Sequence, residues 1–146
     1  MLRNRIVNGQ KATDATYVAH TDLKRGMGVI KGTAGKTAFV DAESDANKIF
    51  VVDKDNLPEG IESLYTDRPD VYFDDIKEGA FVLLRPYVVG ESFFTDQYVS
   101  GAEVDGVAVS VNPEGKWVAV EGDTRFVSRG TETVAGVKML IVEVVF

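Results

Sequence analysis

The chain has 146 residues, of which 45% are hydrophobic, and its formal net charge is −7. This length and composition predict one folded domain with a hydrophobic core rather than a disordered chain. The acidic balance argues against non-specific nucleic-acid binding and against docking on an anionic membrane, and no run approaches the length of a membrane span. Cysteine is absent and His20 is the single histidine, which excludes disulfides, cysteine zinc sites and multi-histidine metal sites within one chain.

Residues 1–16 are interpreted as an extended N-terminal arm, and residues 17–146 as a single β-domain. The arm begins with Arg3 and Arg5, continues with Ile6 and Val7, and ends in a polar stretch. We expect the two arginines to reach carboxylates of a partner and the two apolar side chains to cover an apolar groove. A frayed terminus is an equal alternative. The start of the chain lacks the apolar stretch of a signal peptide, which favours a protein used inside the cell that makes it.

The first strands of the domain are predicted at residues 27–31, 37–41 and 48–53. Residues 32–35 are expected to form the turn of a hairpin between the first two. The sequence Gly32-Thr-Ala-Gly-Lys-Thr37 resembles a phosphate loop, but Ile30 stands where that loop needs its first glycine. A strand is also expected where a phosphate needs the start of a helix. A glycine-rich hairpin turn is therefore the preferred interpretation.

The middle of the chain, residues 53–79, is predicted to be acidic and irregular, with a turn of helix near residues 59–64. Asp53 and Asp55 are hard oxygen ligands at close spacing, so a structural cation is one hypothesis there, and a solvated acidic loop is the other. Further carboxylates surround Tyr72 and Phe73. They lack the signature of a catalytic cleft, and we interpret this cluster as a charged patch facing a basic partner or as a solvated face.

A strong strand is predicted at residues 80–89, followed by a hairpin turn at Gly90 and Glu91 and a strand at residues 92–99. Pro86 cannot donate a ladder hydrogen bond, which indicates a sheet edge or a bulge. Neighbouring residues of a strand point to opposite faces, so Phe93 and Phe94 cannot share one core layer. We expect Phe94 to contribute to an interface, where aromatic residues are enriched, or to pack in a second layer.

The last third of the chain shows the clearest pattern, with hairpin turns predicted at residues 112–115 and 135–136. Strands are predicted at residues 107–111, 116–120, 124–128, 131–134 and 137–146. The last of these is apolar on both faces, interrupted only by Glu143. Such a strand is either central in the fold or has one face against a partner. Turns recur every 8 to 12 residues, which predicts an all-β fold, an antiparallel sandwich or barrel.

Residues 23–30 (Leu-Lys-Arg-Gly-Met-Gly-Val-Ile) resemble the turn and strand that open many head decoration (cement) proteins of tailed bacteriophages. Residues 112–118, 126–128 and 137–144 resemble the closing hairpins of such capsid proteins. The resemblance implies a structural virion protein that binds the outer surface of a phage capsid and stabilises contacts between major capsid protein subunits. It also implies a homotrimer on the capsid exterior, made in the host cytoplasm, with no catalytic residue, cofactor or metal.

Two other functions compete with this one. A β-sandwich binding module for carbohydrate or a host surface would present an exposed tryptophan or tyrosine platform, so burial of Trp117 would count against it. A small β-class enzyme, such as a trimeric nucleotide hydrolase, is the weakest alternative, because the sequence contains no phosphate-binding or water-activating motif. His20 is expected to be a surface residue rather than a catalytic base.

Overall fold

The computed structural model describes residues 1–7, 13–40, 48–54 and 74–146, and all twelve elements named within these ranges are β-strands. They are β1 Leu2–Ile6, β2 Leu23–Lys24, β3 Gly28–Lys31, β4 Thr37–Ala38, β5 Phe50–Asp53, β6 Asp75–Ile76, β7 Leu83–Arg85, β8 Ser92–Thr95, β9 Ala108–Val111, β10 Trp117–Ala119, β11 Phe126–Val134 and β12 Val137–Val144. The ladders between them are antiparallel. The prediction of an all-β antiparallel fold is therefore confirmed.

The larger sheet has six strands in the order β1-β8-β12-β11-β9-β10. Its centre is the hairpin of β11 and β12, whose turn is Ala135-Gly136. Both turn residues have positive φ, 49° and 80°, as a two-residue hairpin turn of the primed type requires. Met139, Leu140, Ile141 and Val142 are all buried. The expectation that this strand is central and covered on both faces is therefore confirmed.

A hairpin of β9 and β10 closes one side of the larger sheet. Its turn, residues 112–115, has the predicted form: the Gly115 N–H donates to the Asn112 carbonyl at 2.9 Å, and the Asn112 side chain accepts from the Glu114 N–H. Tyr98, three residues beyond β8, pairs with Trp117 in an isolated parallel bridge. The segment after β8 therefore runs from near the β1 edge of the sheet to the opposite edge, at β10.

The smaller sheets have the order β4-β3-β5-β7 and β2-β6. The predicted hairpin around residues 32–35 is present as β3 and β4, with Ala34 and Gly35 at positive φ. A strand rather than a helix follows this turn, which removes the phosphate-loop interpretation. β7 is one of the two edge strands, and Pro86 follows it directly, in agreement with an edge position.

Two features differ from expectation. Gly90 and Glu91 do not close a hairpin, because β7 pairs with β5 whereas β8 pairs with β1 and β12 in the other sheet. The turn therefore carries the chain from one sheet to the next. The beginning of the expected arm is also part of the domain: β1 pairs with β8, and Met1 and Leu2 are buried. The apolar side chains of this segment gain more from burial than from exposure.

The four-stranded sheet lies between two hydrophobic clusters. The aromatic cluster lies against the larger sheet and includes Val51, Phe93, Trp117, Phe126 and Leu140. The aliphatic cluster lies on the other side and includes Leu23, Val29, Val52, Val82 and Leu84. Neighbouring residues of β5 thus enter different clusters, as the alternation of a strand dictates.

Trp117 and Gly26 join the elements on either side of this core. Trp117 is fully buried, and its ring packs against Phe126 and Phe93 at centroid distances of 5.0 and 5.6 Å. Its indole N–H donates to the Gly26 carbonyl at 2.9 Å, and the Thr95 hydroxyl donates to the same oxygen at 2.9 Å. Gly26 has φ +94°, and a Cβ there would lie 2.7 Å from the Met1 carbonyl, so the close approach requires glycine.

Candidate functional site

Five large apolar side chains are exposed at one end of the six-stranded sheet, and we call them the end patch. They are Ile6, Val7, Val88, Val89 and Phe146, each between 42% and 57% exposed. Among the described residues, eight large hydrophobic side chains are exposed, so this end holds more than half of them. Exposed apolar side chains gathered at one end of a sheet are a candidate surface for binding another molecule.

Strand pairing brings these residues together from three distant parts of the chain. Ile6, at the end of β1, lies opposite Ser92, the first residue of β8. Ser92 lies in turn opposite Glu143 near the end of β12, and the Gly90 N–H donates to the Val144 carbonyl at 2.9 Å. The end of β1, the turn before β8 and the end of β12 therefore meet at one edge of the fold.

The turn that presents Val88 and Val89 is held by a buried carboxylate. Glu91 is 1% exposed, and its Oε1 accepts a hydrogen bond from the Val88 N–H at 2.7 Å. The Glu91 N–H donates to the Val88 carbonyl at 3.0 Å. This pair of bonds fixes the turn, so the two valines stay at the surface instead of folding back onto the core.

Arginines flank the end patch. Arg5 is exposed beside Ile6 and donates a long hydrogen bond of 3.5 Å to the Ser92 hydroxyl. Arg125 donates to the Phe146 carbonyl at 2.8 Å and to the Tyr87 carbonyl at 3.4 Å, which ties the end of β12 to the turn after β7. The patch is thus apolar with a basic margin, in a chain whose net charge is negative.

The predicted partner-binding residues separate into three groups. Arg5, Ile6 and Val7 are exposed and belong to the end patch or its margin. Arg3 and Phe94 lie opposite each other on β1 and β8 and are half-buried, on the face away from the aromatic cluster. Phe93 is fully buried in that cluster, so the two phenylalanines do point to opposite faces. Tyr72 and Phe73 lie outside the described residues.

The Asp53 carboxylate, a candidate ligand for a cation, is paired with two arginine side chains in the structure. Asp53 is 5% exposed and accepts a hydrogen bond from Arg25 Nε at 2.8 Å and another from Arg85 Nε. Two guanidinium groups already neutralise it, which argues against a metal ion there. Asp55 lies outside the described residues, where the rest of the irregular middle segment, residues 55–73, also lies. In the described part of the chain, no group of three or more potential ligands is suitably placed for a metal ion.

A second buried ionic contact involves the α-ammonium of Met1. It lies 2.9 Å from Asp74 Oδ2 and 2.5 Å from Asp96 Oδ1. Burial raises the pKa of the Asp74 carboxyl, and the neighbouring ammonium offsets only part of that effect. Asp74 Oδ1 has no hydrogen-bond partner and lies 3.8 Å from Arg25 Nη1. These charges fasten the start of β1 to the segment before β6.

An acidic depression of about 670 Å³ opens beside this contact. Its acidic lining residues are Asp22, Asp74, Asp96 and Glu114, and its apolar ones are Met27, Phe39 and Tyr98. Lys24 and Lys116 also line it, but Lys24 is paired with Asp75 at 2.8 Å. Asp74 and Asp96 share one ammonium group, so these two carboxylates are paired with a cation rather than arranged as an acid and base pair.

His20 is half-buried rather than fully exposed. Its Nδ1 lies 2.8 Å from the Thr37 hydroxyl, and its ring meets Phe39 edge-on at a centroid distance of 4.6 Å. Burial lowers the pKa of the imidazole, which favours a neutral ring. These contacts give it a packing role between the segment before β2 and β4.

The sequence prediction missed Val88, Val89 and Phe146 because it assigned them to strands. The neighbouring Pro86 and Gly90 were the available signal that residues 88–89 belong to a turn. Across the described ranges, no helix has the length and apolar character needed to cross a membrane. No family model, curated protein or solved structure matches the chain.

Proposed function

We propose that this chain is a non-enzymatic structural protein that docks on another protein through the end patch, and that its partner is the outer surface of a tailed-phage capsid. The observation that carries the docking role is the convergence of five exposed apolar side chains at one end of a sheet. The sequence resemblance to head decoration proteins supports the capsid as partner. The homotrimer and the place on the capsid exterior belong to the same proposal.

The size of the patch indicates a weak individual contact. Burying a half-exposed valine, isoleucine or phenylalanine contributes roughly 1 kcal/mol each, or about 5 kcal/mol for the patch. Association costs about 4 kcal/mol or more in lost rigid-body freedom. A single contact of this size is marginal, whereas a homotrimer places three linked patches on one lattice and gains from avidity. A repetitive partner such as a capsid therefore suits this surface better than a single soluble protein does.

The arginines at the margin of the end patch restrict which partner surfaces can match it. Arg5 and Arg125 flank an apolar area, so carboxylates beside an apolar strip on the partner would complete the match. The carbohydrate module has less support, because the single tryptophan, Trp117, is fully buried and cannot serve as a sugar platform.

The test mixes purified chain with expanded heads that lack decoration protein, from a tailed phage that carries the gene for this chain. We expect saturable co-sedimentation and heads that resist a higher temperature. Phe146→Ser and Val89→Ser should weaken co-sedimentation several-fold while leaving thermal unfolding of the isolated chain unchanged.

Matched controls lie elsewhere on the surface. Phe81 is 63% exposed and Val104 is 55% exposed, as Val89 is, so Phe81→Ser and Val104→Ser remove similar exposed apolar surface. Both controls should bind heads like the parent chain. Absence of binding to the heads would remove the capsid proposal, and equal losses in patch and control variants would remove the end patch from it.

A further inference from the structure

A segment that belongs to none of the twelve strands covers the outer edge of β7, and we call this segment, residues 14–19, the strap. Asp14 and Leu84 exchange both backbone hydrogen bonds: the Asp14 N–H donates to the Leu84 carbonyl at 3.1 Å, and the Leu84 N–H donates to the Asp14 carbonyl at 2.8 Å. Further along β7, the Val82 N–H donates to the Tyr17 carbonyl at 3.1 Å. The side of β7 that faces away from β5 is therefore paired with the strap.

The strap also reaches β4, the strand at the opposite edge of the same sheet. The Val18 N–H donates to the Gly35 carbonyl at 2.9 Å, and the Thr37 N–H donates to the Val18 carbonyl at 3.0 Å. Val18 pairs with Lys36 in a parallel bridge on this side and with Phe81 in an antiparallel bridge on the other. The strap thus joins the two ends of the order β4-β3-β5-β7 into a closed ring of backbone hydrogen bonds.

One lysine side chain clamps the strap to the sheet. Lys31, the last residue of β3, places its Nζ 2.7 Å from Asp14 Oδ2. The same ammonium lies 5.3 Å from the centre of the Tyr17 ring in the strap and 5.0 Å from the centre of the Phe50 ring in β5. Hydrogen bonds from Lys31 and Thr16 lower the pKa of Asp14 to about 2, so this carboxylate stays charged at neutral pH. We call this set of contacts the clamp.

Burial of apolar side chains contributes little to holding the strap. Ala19 is its one buried residue, and Ala15 and Thr16 are exposed. The backbone bonds and the clamp therefore supply most of the attachment, and elements with few buried apolar contacts open locally before the rest of a fold. An open strap would leave unpaired N–H and C=O groups on β7 and β4, and such groups at a sheet edge pair readily with another chain.

From this arrangement we infer that the strap is an edge cover: it prevents the edges of the four-stranded sheet from pairing with a second copy of this chain, and the clamp keeps it closed. When the strap opens, the freed edge of β7 pairs with the same edge of another copy. The device thus directs association away from the smaller sheet and leaves the end patch as the surface available for docking.

Lys31→Met tests the clamp, because it keeps a side chain of similar length and removes its charge. The amides of Val82 and Leu84 donate to strap carbonyls, so native-state hydrogen exchange followed by NMR reports opening of the strap at single residues. We expect both amides to exchange about three- to tenfold faster in this variant, because an ion pair and two cation–π contacts are lost. Lys24→Met, the matched control, breaks the exposed pair with Asp75 and should leave both rates unchanged.

Sedimentation velocity over a wide concentration range tests the edge cover. Lys31→Met and Asp14→Asn should each form species larger than those of the parent chain, because each removes the clamp and frees the edge of β7 more often. Lys24→Met should sediment like the parent chain. Far-ultraviolet circular dichroism checks that each variant is folded.

A disulfide that closes the strap covalently gives an independent check. The chain has no cysteine, and Val18 and Phe81 lie opposite each other in an antiparallel bridge, where a pair of cysteines can form a disulfide. Val18→Cys and Phe81→Cys are added to Lys31→Met, and mass spectrometry identifies the intramolecular bond. The oxidised protein should show parent-like exchange at Val82 and Leu84 and no larger species, and reduction should restore both effects of Lys31→Met.

Two results would overturn the inference at once: parent-like exchange of Val82 and Leu84 in Lys31→Met, or faster exchange without any larger species. Larger species that persist when the disulfide holds the strap closed would overturn it as well, because they would form through another surface. The proposed function is tested separately, since its experiment measures binding of heads by end-patch variants.

Discussion

The carbonyl of Gly26 offers a sharp test of how the core is held together, because it accepts two buried hydrogen bonds. Trp117 Nε1 and Thr95 Oγ1 each lie 2.9 Å from it. Trp117→Phe removes one donor and Thr95→Val removes the other, while each single variant leaves the carbonyl with one partner. Only the double variant leaves it unpaired, and an unpaired buried carbonyl costs about 1–3 kcal/mol.

The expected magnitudes follow from these contacts. Trp117→Phe leaves a small void between Phe93 and Phe126, at a cost of about 1–2 kcal/mol. Thr95→Val loses a hydrogen bond of about 1 kcal/mol and also the acceptor of the Gln97 N–H at 3.1 Å. The free energy of unfolding of the double variant should therefore fall by about 1–2 kcal/mol more than the two single losses added together.

Urea denaturation followed by far-ultraviolet circular dichroism gives the free energy of unfolding of all four proteins. This signal is suitable because two of the variants lack the only tryptophan. If the loss for the double variant equals the sum of the two single losses to within about 0.5 kcal/mol, the shared-acceptor argument is refuted. A cost near zero for Trp117→Phe would show that the indole is not tightly packed.

Three further predictions concern individual side chains. Asp53→Asn should lower the free energy of unfolding by about 3 kcal/mol, because the buried Arg25 and the partly exposed Arg85 lose their anion. Asp75→Asn, at an exposed ion pair, should cost under about 1 kcal/mol. Equal costs in urea titrations would contradict this. Because burial lowers the pKa of His20, an NMR titration of its ring should have a midpoint below the ordinary 6.5. The stability that the neutral ring confers above pH 6.5 should decline as the pH falls below that value. A midpoint above 6.5 would refute this prediction. Burial raises the pKa of Tyr87 above its ordinary 10.0, so the folded parent loses stability as pH rises past that value. Tyr87→Phe lacks this loss. Its free energy of unfolding should be about 1 kcal/mol below that of the parent chain at neutral pH, and urea titrations should show this difference shrinking at alkaline pH. A difference that stays constant would show that Tyr87 ionises freely.

The elements that sequence predicted well are those set by local rules. The unbroken apolar run of β12 indicated burial on both faces, and Ala135-Gly136 indicated a two-residue turn; both are present. The turn at Gly90 and Glu91 was recognised as a turn, but its residues do not encode which sheet receives the next strand. That choice depends on the pairing of β8 with β12, which is a tertiary interaction.

The candidate site was only partly predictable for the same reason. Ile6 and Val7 stood out because apolar residues follow two arginines near the start of the chain. Pro86 and Gly90 indicate a turn at residues 88–89, but no local pattern places that turn or Phe146 beside Ile6. They join the end patch only because three strand ends meet there. The pairing of β1 with β8 was likewise hidden, since the short segment Leu2–Ile6 has no clear alternation of polar and apolar residues.

The division of the interior into two clusters on either side of the four-stranded sheet has a consequence for how the molecule opens. Residues 140–143 of β12 lie between β8 and β11, so amide protons in this part of the strand should exchange with solvent only when the whole chain unfolds. The two-residue strands β2, β4 and β6 border the aliphatic side, and their amides need only a local opening. Hydrogen exchange should therefore distinguish the two sides of the four-stranded sheet, with the amides of these short strands exchanging before those at the centre of β12.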